Sequence, residues 1–362
     1  MRNFGLRVLG NSEDFTSNMP TVKISQKHPT WPFLRQTPGC SGVWGDYQFI
    51  FDKDIEECDA WVVIGDLRHN QERTYCPPHR VLLVNEEPPT MRSYPEAFLA
   101  QFATIATCGG HNLNHPGVVE TFPLQPWYLG VNLQSLHVPS KESSVRFTYD
   151  SLKAMQPPKK KKLLSVMCTD KSFTAGHTKR AEFVQSLKAH FGNQIDVFGR
   201  GFQFISDKWE AIGNYEYHIA IENSRFPHYW TEKLADAFLG WAYPIYHGCP
   251  NITDYFDANF LTTIDIESPE EAIWKIEQVI NRRPWKMEAI GEARRRIIDE
   301  YNMFPMFVKL LNLPPEPERK EPVSLRSMAN IVGYTKTFLR KTRAKLQLGL
   351  GITRLFPFLR KL

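Results

Sequence analysis

The segment 215–251 reads as two short strands separated by a polar loop and a helix. The β-prone run at 217–221 stops at the polar residues 222–224, which favour turns and helix caps over strand interiors. Beyond the loop, Thr231 can cap a helix with an apolar stripe, and a second β-prone run at 243–248 ends in a glycine turn. This order of elements is typical of an open α/β sheet, where ligands bind beyond the carboxyl ends of the strands.

The start of that helix is suited to binding an anion. A helix N-terminus carries the positive end of the helix dipole, and Lys233 adds a full positive charge in the first turn, next to Glu232. The segment therefore predicts a site for a phosphate or diphosphate group.

The same residues resemble glycosyltransferase family 10, the α-1,3/4-fucosyltransferases. The family signature runs approximately F-x-L-x-F-E-N-S, a variable loop, Y-x-T-E-K, a helix and V-P-V-x-x-G. Here it stands as YHIAIENS, RFPHYWTEK, LADAFLGWA and YPIYHG, in the same order and spacing. The similarity extends from about 163 to 265, is patchy from 81 to 130, and is not detectable before about residue 70 or in the tail.

The length of 362 residues exceeds what one hydrophobic core usually serves, so two domains are expected. Strand-like runs alternate with stretches that suit helices, which predicts mostly parallel sheets covered on both faces. Together with the resemblance, this predicts an α/β protein of the GT-B class, in which two Rossmann-like domains face each other across a cleft. We assign 1–150 to an acceptor-binding domain, 151–312 to a nucleotide-sugar-binding domain and 313–362 to a basic amphipathic tail.

The individual elements follow from the same patterns. Strands are predicted at 6–9, 43–51, 60–64, 80–84, 163–168, 194–198 and 260–266, and helices at 94–102, 177–191 and 270–280. The span 140–162 ends in QPPKKKK, which favours a solvated linker over a nucleic-acid or phosphate-binding patch.

A sugar nucleotide carries two phosphates, and its leaving group gains negative charge as the glycosidic bond breaks, so cations or a metal must lie nearby. No pair of carboxylates stands at a strand end in a metal-binding pattern, so the sequence predicts no metal and no cofactor. The resemblance implies that Arg180 and Lys233 contact the diphosphate, and that Asn223, Tyr229 and Glu232 hold the nucleoside. The alternatives are a surface cation for Arg180, and caps or packed rings for the others.

Inverting transfer also needs a carboxylate that takes a proton from the acceptor hydroxyl. Glu86 and Glu87 follow the strand-like run RVLLV and precede two prolines, where the family carries E-S-P with its Glu proposed as the base. Aligning E-E-P on E-S-P favours Glu86, whereas the proline register allows Glu87. The alternative is that both are solvated turn acids.

Six cysteines without a CxxC or zinc spacing favour a reducing compartment. The N-terminal apolar stretch is too short for a signal peptide, and no run of about 18 apolar residues occurs. Three histidines near the motif, His218, His228 and His247, lack metal-ligand spacing and are expected to be ordinary hydrogen-bonded side chains. Animal and plant fucosyltransferases of the resembled family are anchored in the Golgi by an N-terminal helix, so the resemblance implies a bacterial-type, cytoplasmic enzyme here.

The net charge of +5 is concentrated at one end of the chain. Residues 323–362 hold nine Lys or Arg and no acid, so removing nine from +5 leaves −4 for the rest. Apolar residues at helical spacing from Met328 onward predict a basic amphipathic helix on an anionic membrane surface, at the inner face of the membrane. The alternative is a helix packed across both domains. No nucleic-acid-binding motif accompanies the charge.

The resemblance implies an inverting transferase that moves fucose from GDP-fucose to a hydroxyl of a glycan acceptor, such as an N-acetylglucosamine or glucose unit of a surface polysaccharide. One alternative is a related enzyme that uses another sugar nucleotide. The other is a glycan- or nucleotide-binding protein without catalytic activity.

Overall fold

The computed structural model describes residues 19–27, 31–134, 145–168, 175–283, 286–312 and 318–333, with the side chains of 175–177 excepted. Its strands are β1 (Thr21–Gln26), β2 (Val43–Trp44), β3 (Tyr47–Phe51), β4 (Ala60–Ile64), β5 (Gln71–Cys76), β6 (Val81–Val84), β7 (Thr104–Thr107), β8 (Val118–Glu120), β9 (Lys162–Met167), β10 (Ile195–Phe198), β11 (Tyr215–Ile221), β12 (Tyr243–His247), β13 (Thr262–Thr263) and β14 (Glu321–Arg326). Its helices are α1 (Glu96–Leu99), α2 (Tyr149–Ala154), α3 (Ala175–Phe191), α4 (Trp209–Ile212), α5 (Glu232–Leu239), α6 (Pro269–Arg282), α7 (Met287–Asp299) and α8 (Met303–Leu311).

Two separate parallel sheets organise these elements. The first has seven strands in the order β2-β3-β1-β4-β6-β7-β8, and all its pairings are parallel except the β2–β3 hairpin. The second has five parallel strands in the order β10-β9-β11-β12-β13. The central strands β4, β6 and β12 are buried throughout, as expected for sheets covered on both faces. The predicted α/β fold with two Rossmann-like units is confirmed.

Helix α5 shows why the signature segment folds as predicted. Thr231 caps it, and its side chain accepts a hydrogen bond from the backbone N–H of Lys233. The chain then leaves the helix at Gly240 and enters β12. Because β11 and β12 are parallel neighbours, α5 crosses over the sheet and begins at the carboxyl end of β11.

Several predicted element bounds are wrong. The strand predicted at 43–51 is a hairpin that turns at Gly45, whose φ of 57° suits glycine. The helix predicted at 94–102 shrinks to α1, because Pro95 precedes its first residue and the chain must turn back into β7. The strand predicted at 260–266 is reduced to the edge strand β13, which pairs only with β12.

The solvated linker predicted at 140–162 is wrong for 149–154 and for Lys162, whereas 155–161 form neither helix nor strand and contain no buried residue. Thr148 and Ser151 form a capping box at the start of α2, which places a helix within this span. The Nζ of Lys160 donates to the carbonyls of Gly213 and Gly240, at 3.1 and 2.7 Å, near the ends of two helices. Lys162 begins β9.

The chain returns to the first domain near its C-terminus. β14 pairs antiparallel with β5, and the buried side chains of Leu325 and Ile331 join the apolar cluster on one face of the first sheet. Residues 328–333 are helical, and the rest of the predicted basic amphipathic helix lies outside the described residues, as does the strand predicted at 6–9. Among the helices of the described ranges, none has the length and apolar character needed to cross a bilayer.

Candidate functional site

Glu222 fixes the junction between β11 and α5. Its buried carboxylate accepts hydrogen bonds from the backbone N–H of Thr231 at 2.8 Å and from the Thr231 hydroxyl at 2.8 Å. The same carboxylate lies 3.2 Å from the Nζ of Lys233. Glu222 therefore orients the first turn of the helix and its cation.

Lys233 lies among oxygen atoms at the start of α5. Its Nζ is 3.0 Å from the Thr231 hydroxyl and 3.5 Å from Oε1 of Glu232, and its side chain is 22% exposed. Burial lowers the pKa of Lys233, but Glu222 and Glu232 outweigh burial, so the pKa is raised. Lys233 is thus a fixed, partly accessible cation, which is what a diphosphate site requires.

One carboxylate oxygen of Glu232 faces two lysines, and the other has no hydrogen-bond donor in the described part of the chain. Oε1 faces Lys208 at 3.3 Å and Lys233 at 3.5 Å, whereas no donor in the described part of the chain hydrogen-bonds to the buried Oε2. Burial raises the pKa of Glu232, but the two lysines outweigh it and bring the pKa down to about 2. A buried, ionised acceptor without a donor is costly, so a ligand hydroxyl at Oε2 would be favourable.

Arg180 and Asn223 are brought together from two elements. Arg180, in the second turn of α3, donates a hydrogen bond to Oδ1 of Asn223 at 2.5 Å. With 5% of its surface exposed, Arg180 is not the surface cation of the alternative reading, whereas the neighbouring Lys179 is exposed. Arg180 also acts electrostatically on Lys233. The two predicted phosphate-binding cations therefore share one site.

Tyr229 is buried rather than open to the cleft, with 1% of its surface exposed. Burial raises the pKa of its hydroxyl well above the usual value, and the nearby charges of Glu222 and Glu87 add to this effect. The ring is therefore packed inside the protein beside the proposed nucleotide site. It can stack on a base only if the loop around it moves.

Glu86 and Glu87 lie directly beyond β6, at the corresponding end of the first sheet. Gln125 donates to the carbonyl of Glu86 at 2.9 Å, and the backbone N–H of Glu87 donates to Oδ1 of Asn85 at 3.2 Å. His111 Nε2 lies 2.9 Å from the carbonyl of Glu87. Both acids are half-buried in a turn that is braced by side chains, and are not solvated turn acids.

The electrostatics of these two acids connect them to the second domain. Burial, followed by repulsion from Glu87, raises the pKa of Glu86 to about 7, against the opposing effect of Arg92. Burial also raises the pKa of Glu87, while Lys233 and Arg92 lower it. Since Lys233 belongs to α5, Glu87 lies near the predicted phosphate site, and Glu86 is its neighbour in the chain. A carboxylate with a pKa near neutrality is suited to general base chemistry.

The loop between β11 and α5 rests on the first domain. The hydroxyls of Ser224 and Thr90 are 2.8 Å apart, and the backbone N–H of Gly109 donates to the carbonyl of Pro227 at 2.8 Å. A Cβ on Gly110 would lie 2.5 Å from the ring of Phe226, so this approach depends on glycine.

Sequence reasoning missed Lys208 and Asp236. Asp236 is fully buried on α5 and lies 2.8 Å from the Nζ of Lys208. The available signal was an acid within the apolar stripe of a helix, because a buried acid requires a partner. Lys208 has no comparable signal, since it precedes the short helix α4 among other polar residues.

The three motif histidines are ordinary hydrogen-bonded side chains, as predicted. His218 contacts the Ser165 hydroxyl at 2.8 Å, His228 the hydroxyl of Tyr255 at 2.7 Å, and His247 the carbonyl of Ile264 at 3.2 Å. Within the described residues, no group of three or more His, Cys, Asp or Glu is arranged to hold a metal ion.

Comparison with known proteins places the second domain. Residues 157–283 match the family described as "Glycosyltransferase family 10 (fucosyltransferase) C-term". This stretch of the chain is therefore similar to the C-terminal domain of glycosyltransferase family 10. It contains α3, β11 and α5, with Arg180, Asn223, Glu232 and Lys233.

Curated relatives match the chain over about 100 residues. The human 4-galactosyl-N-acetylglucosaminide 3-alpha-L-fucosyltransferase FUT6 is 35% identical over 100 residues, which is 25% of this chain and 27% of the relative. The human 3-galactosyl-N-acetylglucosaminide 4-alpha-L-fucosyltransferase FUT3 matches at the same identity and coverage. The chain thus spans about a quarter of the length of these relatives.

Solved structures resemble the chain over a greater length. An α1,3-fucosyltransferase crystallised with GDP covers 83% of this chain and 93% of its own, with 14% identity and a TM-score of 0.45. The lipopolysaccharide outer core galactosyltransferase WaaB, in its apo form, covers 81% and 99% respectively, with 9% identity and a TM-score of 0.47.

Proposed function

We propose that this protein is an inverting glycosyltransferase that moves fucose from GDP-fucose to a hydroxyl group of a glycan acceptor. The observation that carries the proposal is that the loop with Glu86 and Glu87 contacts the loop after β11, where the Thr90 and Ser224 hydroxyls are 2.8 Å apart, and that Lys233 lies near enough to Glu87 to lower its pKa. A base and a phosphate-binding cation on opposite walls of one cleft are what direct displacement at an anomeric carbon needs.

The donor is held by the second domain. Lys233 and Arg180 bind the diphosphate, and their charge stabilises the GDP leaving group as it gains negative charge. Because these two cations supply that charge, we infer that no divalent metal is required. The unengaged Oε2 of Glu232 accepts hydrogen bonds from the ribose hydroxyls. Asn223 positions the nucleoside through its contact with Arg180, and Tyr229 closes the site on the side of the base.

The acceptor is activated from the first domain. Glu86, or Glu87 in its place, takes the proton from the acceptor hydroxyl while that oxygen forms a bond to the anomeric carbon. The bond from that carbon to the β-phosphate oxygen breaks at the same time, and its electron pair leaves with GDP. Attack opposite the leaving group inverts the configuration.

A binding screen tests the nucleotide assignment. Thermal unfolding is measured with GDP, UDP and CMP and with the corresponding sugar nucleotides, because a ligand at about 100 times its Kd stabilises a protein by about 2.7 kcal/mol. We expect stabilisation by GDP and GDP-fucose. Stabilisation by UDP or CMP alone would identify another sugar nucleotide as donor.

Activity separates an enzyme from a binding protein. GDP release from GDP-fucose should be detectable without acceptor and should rise when N-acetylglucosamine-containing or glucose-containing oligosaccharides are added. Binding of GDP-fucose without any release would instead indicate a nucleotide-binding protein that does not catalyse transfer.

We further propose that the basic tail holds the enzyme peripherally on an anionic membrane surface. One of its nine cations, Arg326, ends β14, and the other eight follow the point where β14 docks on the first domain. Each Lys or Arg near an anionic leaflet contributes about 1 kcal/mol, so the charge suffices for binding.

A further inference from the structure

Lys208 lies beneath the proposed nucleotide site. Its buried Nζ is 2.8 Å from Oδ2 of Asp236 and 3.3 Å from Oε1 of Glu232, and it lies 4.7 Å from the ring centre of Tyr128. Burying an ammonium group costs much free energy unless carboxylates pair with it, and here two do.

Asp236 extends this contact to residues 121–134, which follow β8 and are called the crossing segment below because they lead from the first domain toward the second. Its Oδ1 accepts hydrogen bonds from the backbone N–H groups of Tyr128 and Leu129, each at 3.1 Å. Next to Lys208, Oδ1 of Asp207 accepts from the N–H of Gly130 at 2.8 Å. The crossing segment is thus fastened to α5 and to the turn before α4 at adjacent residues.

Lys208 pairs with two carboxylates of helix α5, Glu232 and Asp236, and Lys233 is the second cation near Oε1 of Glu232. Without Lys208, Oε1 of Glu232 would lose one of these two cations, and the buried carboxylate of Asp236 would lose its ion pair with Lys208.

We infer that Lys208 is a positioning residue of the nucleotide site, which holds Oε1 of Glu232 so that Oε2 faces ligand hydroxyls, and which joins Glu232 through Asp236 to the crossing segment. This inference rests on the proposed function for its ligand, and on the contacts above for its geometry. The groups that act on Glu232 are Lys233 and Lys208 foremost, and the others around it are Glu222, Asp236, Glu87, Tyr128 and Tyr229.

The first test compares ligands with and without ribose hydroxyls. The affinities of GDP and 2′,3′-dideoxy-GDP are measured by calorimetry for the full-length wild type, Lys208→Met and Lys208→Arg, with the exposed Lys188→Met as control. Lys208→Met should weaken GDP binding by about tenfold, as loss of a charged hydrogen-bond partner does, and should affect the dideoxy compound much less. The arginine variant should recover part of the loss. An equal loss for both ligands, or no loss for either, overturns the inference.

The second test needs no nucleotide. Unfolding free energies are measured for Lys208→Met, Glu232→Gln and the double variant. Because the two side chains interact, we expect the effects to be non-additive, whereas additive effects would mean that Lys208 does not act through Glu232. If the wild type binds no GDP, the proposed function fails, and this cycle still decides the role of Lys208.

Discussion

The ammonium group of Lys233 lies 3.2 Å from a carboxylate oxygen of Glu222, so one ion pair joins the end of β11 to the start of α5. Because Glu222 is buried, water could not solvate its carboxylate if Lys233 were removed. Removing Lys233 therefore changes both the ligand site and the charge balance beneath it, and a test of its role must separate the two.

Lys233→Ala and Arg180→Ala should each weaken GDP binding by roughly tenfold or more, because each removes a charge-assisted contact to the diphosphate. Calorimetry of GDP binding checks this, with Lys179→Ala as the control, since Lys179 is exposed and lies on the same helix as Arg180. The double variant Lys233→Met, Glu222→Gln removes the buried charge as well and should recover stability but not affinity. If both single variants bind GDP as tightly as the wild type, Lys233 and Arg180 do not bind the diphosphate.

The base should show itself in the pH dependence of transfer. The pKa of Glu86 is raised to about 7, so Glu86 is protonated and unable to accept a proton at lower pH. Transfer (kcat/KM) should therefore fall about tenfold for each pH unit below about 7 and level off above it.

Replacing the base should remove the fall of kcat/KM below about pH 7. Glu86→Gln should lower transfer by about 10²- to 10⁴-fold and retain GDP binding, because the amide keeps the shape but cannot take the proton. Glu87→Gln is the test of the alternative assignment, and the exposed Glu96→Gln serves as control. If both Glu86→Gln and Glu87→Gln transfer at the normal rate, the base lies elsewhere in the first domain.

Gly110→Ala should disturb the contact between the domains. The new Cβ would meet the ring of Phe226 at 2.5 Å, and the φ of 87° adds backbone strain. Gly39→Ala is a matched control, since Gly39 has a φ of 60° and open space around its Cβ position. We expect Gly110→Ala to lower transfer more than Gly39→Ala at similar stability, as measured by kinetics and thermal unfolding. Equal activities of the two variants would show that the contact of the Phe226 loop with Gly110 is not needed for transfer.

The role of the tail can be tested without disturbing the fold if the chain is truncated after β14. Removing 334–362 leaves β14 and Leu325 in place, so folding and GDP binding should persist while sedimentation with anionic vesicles is lost. Full-length protein should release from vesicles as salt rises, because exposed charges are screened within about 10 Å at 0.1 M. Loss of GDP binding on this truncation would favour a helix packed on the domains instead.

Removing 321–362 should have a different effect. It strips β14 from β5 and exposes the apolar cluster that Leu325 and Ile331 help to cover. Thermal stability should therefore fall in this variant but not in the shorter truncation.

The sequence predicted the second domain better than the first. There, long apolar runs with clear caps, such as β11 and α5, form the elements that local preference favours. The hairpin at Gly45 was missed, and the strand at 260–266 was predicted too long, because a turn within a β-prone run and the number of neighbouring strands are not properties of the run itself. The helix α2 was missed because a proline- and lysine-rich stretch next to it dominated the local signal.

By itself, the sequence determined many of the elements and the residue types at the proposed donor site. A capped helix with Glu232 and Lys233 in its first turn follows from local patterns over a few residues. Tertiary structure alone decided which charges meet. Lys208 contacts Glu232 and Asp236, and Lys233 acts on Glu87, only because separate elements fold together, and burial then weakens the screening by water that would otherwise mask these interactions. The shifted pKa values of Glu86 and Glu232 are for that reason properties of the fold.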